Sequence, residues 1–144
     1  MFQGFNIDPS QGFCYNIYVK TFTIPVDIYS IKVEFWYGSQ EDAKNELENS
    51  NFPIKSDFNA EGNTLFEEGF DIIVWIKENY DPYSFIPTLS HEMNHATFFI
   101  LKDVGVDYDE DTHNEAFTYL QDYLVEQALR KLKYFDGKKR NRKK

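Results

Sequence analysis

The chain has 144 residues, enough for one domain with a modest hydrophobic core. Apolar residues make up 42% and aromatics 18%, which excludes a disordered polymer, and the single cysteine, Cys14, excludes an intrachain disulfide and a thiolate-rich metal cluster. The net charge of −9 is unevenly placed: six of the 15 Lys and Arg crowd into Lys138 to Lys144, leaving an acidic body for which nucleic-acid binding is unexpected except weakly through that basic tail.

Phe13 to Ile24 is rich in Tyr, Ile, Val, Thr and Phe and predicts a strand, punctuated by Pro25 and Asp27. Ile28 to Tyr37 repeats the signal, with Ile31, Val33 and Phe35 alternating against Lys32, Glu34 and Trp36. Together they predict an antiparallel pair with one face buried. Ser39, with Asp42 three residues on, marks the start of a short polar helix over Glu41 to Glu48 that only Ala43 and Leu47 can anchor. A polar connection from Asn49 to Gly62 follows. Asn63 to Glu67 and Phe70 to Lys77 then read as a second hairpin turning at Glu68-Gly69.

Asp81-Pro82 and Pro87 mark a loop in which Tyr80, Tyr83 and Phe85 are candidates to shape a side-chain pocket. A helix is expected from Pro87 to Val104, closed by Gly105, with Leu89, Met93, Ala96 and Ile100 as its core stripe. After an acidic loop, Asp111 is a natural N-cap for a second long helix. Phe117, Leu120, Leu124, Ala128 and Leu132 are its apolar face, and Phe135-Asp136-Gly137 ends it.

The first of these helices carries Leu89-Ser90-His91-Glu92-Met93-Asn94-His95-Ala96, which contains His-Glu-x-x-His. Residues four apart project from one helix face, so His91 and His95 can offer two imidazole nitrogens to a single metal ion. Glu92 stands about a hundred degrees round from His91, close enough to reach a water at the metal without being a ligand. Zinc suits this set, since it accepts neutral imidazole and keeps a position open in catalytic sites. It needs a third protein ligand, and two candidates open the second helix: His113 and Glu115.

Here the chain resembles the gluzincin metallopeptidases, the thermolysin-like group, over residues 87–125. Their pattern is His-Glu-x-x-His, a loop, and a second helix starting near Asn-Glu. The resemblance implies that His91 and His95 bind zinc, that Glu115 (in Asn114-Glu115-Ala116-Phe117-Thr118) completes the site, and that Glu92 is the catalytic general base. The wider layout also resembles small His-Glu-x-x-His proteins of bacteriophages, on the strand Phe70 to Ile76 and the run Glu115-Ala116-Phe117-Thr118-Tyr119-Leu120. Two positions depart from the gluzincin pattern. Tyr119 stands where an aspartate braces a zinc-bound histidine, with Asp122 one turn further as a substitute. No histidine follows His113 to stabilise an oxyanion, which leaves Tyr108 as the nearest candidate. An oxyanion donor is worth about 2.7–4 kcal/mol, so its loss slows turnover.

The resemblance thus implies an α+β, zincin-like fold: one metallopeptidase domain over residues 1–137 and a solvated basic tail over 138–144. In it a small antiparallel or mixed sheet packs on the metal-site helix and a second long C-terminal helix. The implied activity is hydrolysis of a peptide or protein substrate, docked in extended form against Phe70 to Ile76, with one Zn2+ per chain. The alternative is a zinc-stapled structural protein that partners other virion or assembly proteins. Met1-Phe2-Gln3-Gly4 lacks the features of a secretory signal, and the longest purely apolar run, Ile72 to Ile76, is too short to span a membrane, so a cytoplasmic or virion-associated protein is expected.

Overall fold

The alternation of residues 31–37 is resolved by burying both faces of the strand. In the computed structural model, which describes residues 19–109 and 114–136 in full and residues 6–8 and 13–15 as backbone, a four-stranded mixed sheet forms the centre. Its strands are β3 (Lys20–Val26), β4 (Ile31–Gly38), β5 (Gly62–Leu65) and β6 (Ile72–Lys77), in the order β3-β4-β6-β5. β3 is antiparallel to β4, β4 is parallel to β6, and β6 is antiparallel to β5. β1 (Asn6–Asp8) and β2 (Phe13–Tyr15) pair separately. The long strand expected over residues 13–24 is therefore two strands serving two sheets.

The parallel β4–β6 contact requires a crossover, and helix α1 (Gln40–Asn49) begins it. Ser39 caps α1 as expected, its side chain accepting from the Asp42 N–H at 3.1 Å, and Ala43 and Leu47 are its two buried anchors. Trp36, Ile73 and Trp75 turn to this side of the sheet, where they join Ala43, Leu47, Phe52 and Phe58. On the opposite side, Val33, Phe35, Tyr37, Ile72, Val74 and Ile76 face helices α2 (Pro82–Asp103) and α3 (Asn114–Leu132). The fold is α+β, with helix on both faces of a small mixed sheet. Among the described residues no helix is long and apolar enough to cross a membrane.

α2 starts more than a turn earlier than its expected start at Pro87. Asp81 caps it, accepting from the Tyr83 N–H at 3.1 Å, and Pro82 occupies the first helical positions, where a missing N–H costs nothing. Pro87 then falls inside the helix, a defect worth about 3 kcal/mol. The cap offsets about 1 kcal/mol and burial of Phe85 about 1.5–3 kcal/mol. Phe85 is wedged between Tyr134, stacked at 4.5 Å, and Tyr37, edge-on at 5.5 Å. It is a core residue and lines no substrate pocket. At the other end Gly105 adopts φ +83°, and the N–H groups of Gly105 and Val106 close on Lys102 and Leu101. The expected stripe of α2 and the expected apolar face of α3 are buried throughout. The Asp111 cap and the 138–144 tail lie outside the described residues.

Tyr37 couples the sheet to the loop before α2: its hydroxyl donates to the Asn79 carbonyl and accepts from the Asn79 N–H. Burial pushes its pKa up from 10.0 to about 12, against the opposing effect of the Asn79 hydrogen bond. Below pH 10 the phenol is neutral in both states and its contribution is intact. Between 10 and 12 the unfolded chain gives up the proton while the native state keeps it, so stability falls, by about 3 kcal/mol at most. Urea unfolding at pH 9 and pH 11.5 is expected to show a smaller alkaline loss in Tyr37→Phe than in the wild type.

Candidate metal centre

α2 buries Leu89, Met93, Ala96 and Ile100 against the sheet, so residues half a turn away form its outer ridge. His91 and His95 lie on that ridge and are exposed. Contacts on either side place the ridge between two flanks. Toward β5, Phe99 stacks on Phe66 at 5.0 Å, and Glu92 meets Thr64. Toward α3, Phe98 packs on Phe117 at 4.7 Å, and the Gln121 side chain donates to the Ser90 carbonyl at 3.0 Å. The two histidines therefore stand between the edge strand and the second helix.

Their rings meet edge to face, 4.8 Å apart, with Nε2 atoms separated by 3.1 Å. Two imidazoles bound to one tetrahedral zinc at about 2.0–2.1 Å would hold their nitrogens about 3.3 Å apart. The two nitrogens thus stand at nearly the spacing a shared ion requires. Glu92 sits beside it but is only 7% exposed. Its Oε2 lies 3.9 Å from Nε2 of His91, and its Oε1 accepts from the Thr64 hydroxyl at 2.8 Å.

Gly62 permits that placement. A Cβ there would come within 2.8 Å of Glu92 Cγ, 3.0 Å of Thr88 Cγ2 and 3.1 Å of Ile76 Cδ1. Gly62→Ala is expected to destabilise the protein by about 1–3 kcal/mol, the usual cost of overpacking, read as a lower urea midpoint at unchanged slope. An Ala variant as stable as wild type would show that β5 and α2 are not locked at this point.

The remaining expected site residues are scattered. Glu115 is in the first turn of α3 and exposed. Because Gln121 and Phe117 face α2, Glu115 stands about 120° round the helix from Gln121. Among the described residues, no three His, Cys, Asp or Glu side chains are grouped to hold a metal; His113 lies outside them. Tyr108 is half exposed and packs on Phe98 and Phe117, one turn of α2 beyond His95. Tyr119 turns toward the β3–β4 connection, where it lines a groove with Val26, Ile28 and Tyr123, whereas Asp122 is exposed on α3 and lines a separate groove between α2 and α3. Tyr80 and Tyr83 are exposed at the far start of α2.

The docking edge also differs from expectation. Phe70 to Ile76 contributes β6, which is interior, with β4 on one side and β5 on the other. The edge beside the motif helix is β5. Thr64 and Gly62 were not anticipated as site residues. Thr64 has one sequence signal, membership of the expected strand Asn63 to Glu67, whereas Gly62 falls in the connection expected before it, and only the β5–β6 register (Thr64 opposite Val74, Gly62 opposite Ile76) turns them toward α2.

No family model, curated protein or solved structure matches the chain.

Proposed function

We propose that the protein is a small zinc-dependent peptidase of zincin-like architecture, in which His91 and His95 hold the ion. The observation that carries the reading is the convergence of the two Nε2 atoms at 3.1 Å, with an adjacent buried carboxylate that is anchored elsewhere. Two imidazoles on one exposed ridge suit zinc, and the third ligand implied by the gluzincin resemblance is Glu115, which is not grouped with them in this structure. Zinc, when bound, supplies Lewis acidity that polarises a carbonyl and brings the pKa of water to about 7.

Glu92 takes the proton of the attacking water at Oε2 and delivers it to the leaving amine, a task suited to a carboxylate within reach of the ligands but not among them. An extended peptide adds to β5, the edge strand among the described residues, through backbone hydrogen bonds, which sets the scissile bond along the histidine ridge. Tyr108, near the His95 end, is the candidate oxyanion donor.

The test is cleavage of a denatured protein by the full chain. Activity abolished by chelator and restored by one equivalent of zinc supports the reading. One zinc bound per chain without any cleavage of a broad peptide library transfers the site to the second reading, a metal staple in a structural or assembly protein. No bound zinc at all removes both.

A further inference from the structure

A carboxylate beside two imidazoles is, chemically, as good a ligand as it is a base. Which role Glu92 takes depends on what restrains it. Among the described residues, the one hydrogen-bond donor to its carboxylate is Thr64, whose hydroxyl lies 2.8 Å from Oε1 and 3.0 Å from the carbonyl oxygen of Glu92 itself. Thr64 belongs to β5, so the restraint comes from the edge strand and bridges to the motif helix at two atoms of one residue. Close approach at Gly62 fixes the distance between strand and helix, because Glu92 Cγ, Thr88 and Ile76 fill the space a side chain would need. Oε2 is left turned to His91, at 3.9 Å, which is too far for a hydrogen bond.

We propose that Thr64 is a positioning residue: by holding Oε1 of Glu92 on β5 it keeps this carboxylate out of the metal's ligand set and reserves Oε2 for proton transfer. The proposal rests on the zinc peptidase reading. The bland alternative is that Thr64 only satisfies a buried carboxylate, in which case its loss lowers stability and nothing else.

The experiment uses the full chain loaded with Co2+ in place of zinc. It records the visible absorption spectrum and the kcat and KM for a fluorogenic peptide library, in wild type, Thr64→Val, Thr64→Ser, Glu92→Gln and the Val/Gln double variant. In Thr64→Val, kcat is expected to fall by about tenfold or more at nearly unchanged KM, in the range usual for loss of a group that orients a site residue. The Co2+ bands should shift as Glu92 swings onto the ion. Thr64→Ser keeps the hydroxyl and should restore both kcat and the wild-type spectrum. The double variant should show the spectrum of Glu92→Gln alone, because the shift needs the freed carboxylate.

A Thr64→Val protein with wild-type kcat and spectrum overturns the proposal. So does a Thr64→Ser protein that behaves like Thr64→Val, or a spectral shift that persists in the double variant. If Thr64→Val does not fold, Thr64→Cys, similar in size and a poor donor, takes its place under the same criteria. Wild type that takes up no Co2+ ends the peptidase reading and this proposal together. Wild type that binds Co2+ and cleaves nothing ends the peptidase reading alone, and the spectra then decide whether Thr64 restrains Glu92.

Discussion

Under the proposed function, Glu92→Gln is expected to keep the fold and a full complement of zinc and to lose peptidase activity by about 10²–10⁴-fold, the usual contribution of a general base. Retention of fold follows from the geometry. The substitution preserves shape in a side chain 7% exposed, and the glutamine oxygen can still accept from the Thr64 hydroxyl at the place where Oε1 does. Retention of metal follows because the convergent pair is His91 and His95, with Glu92 Oε2 standing apart at 3.9 Å. What the variant loses is a group that can take up a proton and return it. Metal content by atomic spectroscopy, a thermal melt and kcat/KM against the same peptide library provide the check. Loss of zinc together with activity would make Glu92 a ligand and dismiss it as the base.

The second large effect is on metal itself. His91→Ala and His95→Ala should each lower zinc affinity by at least about 100-fold, since under the proposed function each removes one of the few protein ligands of a catalytic site. Both imidazoles are exposed, so neither substitution opens a cavity, and melting temperatures of the metal-free proteins should stay within a few degrees of wild type. Competition with a chromophoric chelator reads the affinities. Under the proposed ligand set, Glu115→Ala joins the two histidine variants and His113→Ala does not. The opposite pattern would move the third ligand to His113.

The parts of this fold that were legible in the sequence are those with a strong period. Leu89, Met93, Ala96 and Ile100 lie on one helical arc, as do Phe117, Leu120, Leu124, Ala128 and Leu132, and both sets are core. Ser39 with Asp42 announced α1 by capping chemistry, which is local. What escaped depends on non-local pairing. Ile72-Ile73-Val74-Trp75-Ile76 has no polar position, the mark of a strand covered on both faces, yet its neighbours on either side are set by the parallel union of β4 and β6, which no local pattern encodes.

The same limit applies to the site. His91 and His95 are related by helix geometry alone, so their convergence follows from spacing. Glu115 is related to them only through the way α3 lies on α2, and the Phe117 and Gln121 contacts rotate it outward. Thr64 reaches Glu92 across twenty-eight positions of sequence. A helix start at Pro87 was a reasonable inference from its missing N–H, and it failed because tertiary burial of Phe85 repaid a defect that local energetics alone would have avoided.

The parallel union of β4 and β6 also dictates an order of assembly. Val33 and Ile72 are paired although they lie about forty residues apart, so joining them closes a large loop before any packing compensates the lost chain entropy. The β3–β4 and β5–β6 hairpins, whose partners are near in sequence, need no such closure and are the natural early units, and α2 follows β6 directly. The part of the molecule that carries Thr64, Glu92 and both histidines is therefore contiguous, residues 62–103, and gathers its chemistry through short-range encounters. The slow, topologically demanding event is the docking of the N-terminal hairpin onto it, and that step seats β4 beneath a ridge whose donors can already be in place.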